Sequence, residues 1–279
     1  FFFHKNLSDE LTGLLKFLES QYKQKCDFGC TTDLLTGRFY GTIMQNVAFC
    51  GPGYIEESEN LSQKACKALG KGTTPEFKDE WKRHLSYITF ARLDAGNFVK
   101  AEESLKAYLE INILENILIQ PVELDPWGYA LLARFFCQVK DHPIRKKYYQ
   151  WIGPRLDSIK MDTHPWQLFA YNTGQIAYSL GHIDEAITMM IKSIDICLSD
   201  HLGPSIHVMS LLPISMLANY RKETKKNFEI DFTRWEKDIK TSAKNLDADH
   251  FNFSKESDFE TVLKEVRKYP ERIFPFTYR

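Results

Sequence analysis

Four turn positions set the frame for this chain: Gly53, Gly96, Lys140 and Gly181 stand 43, 44 and 41 residues apart. On either side of each, apolar and small residues recur every three or four positions, the period of a helix face. The clearest copy is AYNTGQIAYSLGHIDEAITMMIKSI, residues 170–194. There Gly174, Ile176, Ala177 and Leu180 form one stripe, and Ile183, Ala186, Ile187, Met190 and Ile194 a second, with Gly181 between them. A glycine in that place can take the left-handed conformation that ends a helix, and a residue as small as Ala186 lets two antiparallel helices approach closely. Segments 85–111 (Gly96, Ala101) and 41–69 (Gly53, Ala65) repeat the plan. At 127–152 it is degenerate, with Lys140 in the turn and Arg145 where a small residue is expected. Such a unit cannot bury its apolar face alone, so copies stack on a shared core.

The order Asn172, Gly174, Tyr178, Leu180–Gly181, Asp184–Glu185–Ala186 resembles a tetratricopeptide (TPR) unit. The period is longer than the ~34 residues of that family and nearer the ~40–47 of HEAT-like units. The excess falls in the loops GKGTTPE, IQPVELDP, KMDTHP and SDHLGP, each of which carries a proline. The resemblance implies an all-α fold, an α-α superhelix of about four to five hairpins. Residues 1–35 would supply a capping helix, with Leu11, Leu14, Leu15, Leu18 and Tyr22 on one stripe, and residues 36–200 the four hairpins. Residues 201–279 would continue the stack with a fifth pair, near 205–220 and 231–245, and an aromatic tail, YPERIFPFTYR. Pro275 excludes a helix there, and Phe274, Phe276 and Tyr278 are expected to fold back over the last helix pair.

Charge narrows the partners. With 36 basic against 37 acidic residues there is no global positive field of the kind nucleic acid demands. No run approaches the ~18 apolar residues of a membrane span, and FFFHKN lacks the order of a signal peptide. The six cysteines show no disulfide-dense spacing, which fits a reducing cytoplasm. Cys26 and Cys30 have no matching ligand pair, and GKGTT at 70–74 is an incomplete phosphate loop with no preceding strand. No metal or cofactor is expected.

Two function classes follow. In the TPR register the first helices line a concave groove, and the resemblance places Arg83, Tyr87 and Phe90, Arg134 and Gln138, and Tyr171, Asn172, Gln175 and Ser179 along it. Guanidinium forks and side-chain amides suit a peptide backbone or carboxylate, so the expected activity is non-catalytic protein or peptide binding: adaptor, chaperone, regulator or toxin-neutralising partner. The alternative is a closed α/α toroid acting on carbohydrate as hydrolase, lyase or epimerase. Asp125, Asp162, His164, Asp200 and His201 fall in successive loops next to Trp127 and Trp166. Carboxylates would supply acid and base and aromatics the sugar platform. The plainer role for Asp125 and Asp200 is helix capping, and for the tryptophans packing.

Overall fold

Helix starts follow the loop prolines. Pro75, Pro126 and Pro165 each occupy the first or second position of a helix, where a missing N–H leaves no partner wanting and φ is already set. The computed structural model describes residues 13, 17, 32–119, 124–156, 163–199 and 208–224. These form helices and turns, with no strand among the described residues. The capping helix expected in residues 1–35, the helix expected at 231–245 and the aromatic tail lie almost entirely outside them.

The described residues fall into two compact units, one reaching Leu114 and one starting at Glu115. The first contains α1 (Thr32–Phe49), α2 (Ile55–Leu69), α3 (Pro75–Asp94) and α4 (Phe98–Tyr108). The second contains α5 (Asn116–Ile119), α6 (Pro126–Gln138), α7 (Arg145–Ile152), α8 (His164–Ser179), α9 (Ile183–Cys197) and α10 (Leu211–Thr224). Successive helices α1–α2, α3–α4 and α8–α9 pack as hairpins, while α1 lies along α3 and α6 along α8.

The α3–α4 and α8–α9 turns are built alike. Gly96 and Gly181 adopt φ of 74° and 86°. Behind them Asn97 N–H donates to the Arg92 carbonyl at 2.8 Å, and His182 N–H to the Ala177 carbonyl at 2.9 Å. This six-to-one closure satisfies carbonyls that a helix end would leave open. Ala101 and Ala186 then follow at zero exposure, each small enough for the paired helix to close on it.

Two turns depart from expectation. In the first hairpin Gly51, with φ of 122°, takes the positive angle, while Gly53 sits inside a 3-10 turn at Pro52–Tyr54. In the third, Lys140 keeps an ordinary negative φ and α7 does not close on α6. Arg145 fills the small-residue position, and the Phe136 and Tyr148 rings stack between the helices with centroids 4.5 Å apart. The guanidinium is buried there, donating to the Phe136 carbonyl at 2.6 Å and the Ser179 hydroxyl at 2.5 Å. A charged fork thus satisfies the end of α6 where the other hairpins use a glycine turn.

Candidate binding face

Along α1, Arg38, Thr42, Gln45 and Phe49 recur at helical spacing, and along α3 so do Glu80, Arg83 and Tyr87. Because these two first helices lie side by side, the two stripes meet. Glu80 is the hub, its side chain only 8% exposed. Arg38 Nε donates to one carboxylate oxygen at 3.2 Å and Arg83 Nε to the other at 2.9 Å. Arg83 also reaches Gln45 Oε1 at 3.3 Å and Thr42 Oγ1 at 3.4 Å, longer and weaker contacts. The Phe49 and Tyr87 rings meet edge to face, and burial pushes the Tyr87 phenol above its ordinary range. Two half-exposed guanidinium groups share one buried carboxylate, which leaves spare N–H donors at the surface.

Beneath this face sits a buried polar layer. Gly41 in α1 faces His84, whose Nδ1 would lie 3.4 Å from an added Cβ. His84 Nε2 and the Ser62 hydroxyl of α2 are 2.9 Å apart. Burial, helped by the fields of Arg83 and Arg92, lowers the His84 pKa to about 4, so the ring is neutral at pH 7. Arg92 makes a two-pronged contact with Glu59, both bonds at 2.9 Å. These groups fasten α2, α3 and α1 together below the exposed arginines.

Unit two treats the expected groove residues differently. Arg134, Tyr171 and Asn172 are in its core, as Phe90 is in the core of unit one, so these four are not presented at a surface. The register implied by the resemblance puts Arg134, Tyr171 and Asn172 on an open face, but α6 packs along α8 and Tyr220 of α10 stacks on Tyr178 beside that stripe. Asn172 Nδ2 donates within its own helix, to the Leu168 carbonyl at 2.8 Å. Gln138 and Gln175 are half-buried. Ser179 is exposed but serves Arg145.

Of the carbohydrate alternative, Asp125, Trp127, His164 and Trp166 fall among the described residues, and Trp127 and His164 meet there. Asp125 caps α6, its Oδ1 accepting from Gly128 N–H at 2.7 Å. His164 packs edge to face on Trp127 with centroids 5.8 Å apart, and burial lowers its pKa to about 4. Trp166 is buried against Tyr129 and Phe169. Asp162, Asp200 and His201 lie outside the described residues. Among the described residues no three His, Cys, Asp or Glu side chains form a metal-binding group, and no helix is long and apolar enough to cross a membrane.

Of the residues on this face, the expected groove includes Arg83 and Tyr87 and leaves out Arg38, Thr42, Gln45 and Glu80. Their signal was present as a polar stripe at positions 38, 42 and 45, one helix face of a segment whose hairpin was taken to begin at residue 41. No protein-family model, curated protein or solved structure matches the chain.

Proposed function

We propose that this chain is a TPR-like helical scaffold that binds a protein or peptide along first helices of its hairpins and is itself non-catalytic. The observation that carries the reading is the α1–α3 face. There, two half-exposed arginines, an amide and a half-buried tyrosine are held in fixed geometry over a buried carboxylate and a hydrogen-bonded Ser62–His84 layer. Side chains held this way lose little freedom on binding, which favours recognition. The matching turns at Gly96 and Gly181 support the repeat assignment. The spare guanidinium donors suit a segment bearing carboxylates. A reducing cytoplasm belongs to the same reading, and the four described cysteines, Cys50, Cys66, Cys137 and Cys197, form no disulfide with one another.

The test is to pan a peptide-display library on the full-length chain and measure the selected peptides against Arg38→Ala and Arg83→Ala variants. Binding that weakens by roughly tenfold or more in each variant supports the face, since a hydrogen bond to a charged group is worth about 1.5–3 kcal/mol. No enrichment, or peptides that bind both variants as tightly as the parent, would overturn it.

A further inference from the structure

The second helices of unit two diverge. Helix α7 stops after 8 residues at Gly153–Pro154, whereas α9 runs for 15. The stacked Phe136 and Tyr148 rings hold α7 off α6, while Ala186 draws α9 tightly onto α8. Between α7 and α9 this leaves a cleft of about 730 Å³, within the size range of small-molecule sites. Its apolar lining includes Leu156, Leu180 and Met189, beside Tyr149. Lys146 stands on the α7 wall and Lys192 on the α9 wall.

The charges in the cleft are not used equally. Glu185 accepts from the Tyr149 hydroxyl and lies 3.8 Å from His182 Nδ1, and Asp184 is not free either. Neither lysine has a hydrogen-bond or ion-pair partner among the described residues. The Glu185 carboxylate keeps its charge but is oriented by Tyr149, whereas the two ammonium groups have no such contact among the described residues.

We propose that the cleft binds a small organic anion, its head group between Lys146 and Lys192 and its apolar body against Tyr149, Leu156 and Met189. This site lies on the second helices and is independent of the peptide-binding reading.

The test uses the full chain with methyl-13C methionine, following the Met189 signal as phenyl phosphate, inorganic phosphate or benzyl alcohol is added. A saturable shift is expected with phenyl phosphate, with at least tenfold weaker response to either of the other probes. Lys146→Met/Lys192→Met should raise the Kd for phenyl phosphate by roughly tenfold or more. If the double variant melts earlier than the parent, the single Lys146→Met change, at an exposed side chain, replaces it with the same expectation. No saturable shift, equal affinity for inorganic phosphate, or unchanged affinity in the lysine variants would each overturn the proposal.

Discussion

A glycine is needed for its backbone or for its lack of a side chain, and Gly96 and Gly174 separate the two. Gly96 has φ of 74° with open space where a Cβ would go. Gly96→Ala should therefore cost only the left-handed strain, about 1 kcal/mol. Gly174 is helical, but a Cβ there would meet Met190 Cε at 2.9 Å, Met189 Cβ at 3.1 Å and the Ala186 carbonyl at 3.2 Å. Alanine is the better helix former by about 1 kcal/mol, and overpacking costs about 1–3 kcal/mol, so Gly174→Ala should be destabilising on balance. Urea midpoints of the two variants test this. A Gly174→Ala protein more stable than the parent would mean that α8 and α9 are less tightly joined than described. Glu80 is a third case at this scale. Its arginines are half-exposed and regain water when the carboxylate goes, so Glu80→Gln should cost about 1 kcal/mol, well short of the ~3–5 kcal/mol of a fully buried pair.

Among the elements, the third hairpin makes the sharpest demand. Arg145→Ala strips the Phe136 carbonyl of its donor and opens space beside Tyr148, which should destabilise unit two by about 2–3 kcal/mol. Arg145→Lys should recover only part of this, because an ammonium cannot serve both the Phe136 carbonyl and the Ser179 hydroxyl from one plane. Equal stability of the lysine variant and the parent would show that the fork geometry is idle. This hairpin also marks how far sequence reasoning reached. Turn spacing and the small residues Ala101 and Ala186 made the hairpins legible, because close helix approach depends on residue size and glycine backbone freedom, both local properties. Arg145 was legible as an exception, but its partners were not, since Phe136 and Ser179 are brought to it by two other helices. The binding face shows the same limit. Arg83 and Tyr87 were readable from a register, while Glu80 and Arg38 acquire their pairing only when α1 lies along α3. Tyr171 and Asn172 are buried where that register puts them on an open face, because a repeat register does not say what packs over a first helix.

For the molecule as a whole, acid is the condition that matters most. Among the described residues two histidines are held neutral, buried His84 in the first unit and largely enclosed His164 in the second, with pKa lowered from 6.5 to about 4. A group whose folded pKa lies below its unfolded value stabilises fully above the unfolded pKa. That contribution is lost as pH falls from 6.5 towards 4, and for each histidine it amounts to about 3 kcal/mol. Urea midpoints should therefore drop between pH 7 and pH 4, and His84→Gln should flatten part of that slope. An unchanged slope in the variant would mean that His84 is not the group being charged.

The most direct measurement of binding along the α1–α3 face is hydrogen exchange on the full-length chain, with and without a peptide selected on it. Slowed exchange should be concentrated in residues 38–49 of α1 and 80–90 of α3. Slowing elsewhere with those two stretches unchanged would place the binding surface off the first helices and contradict the proposal.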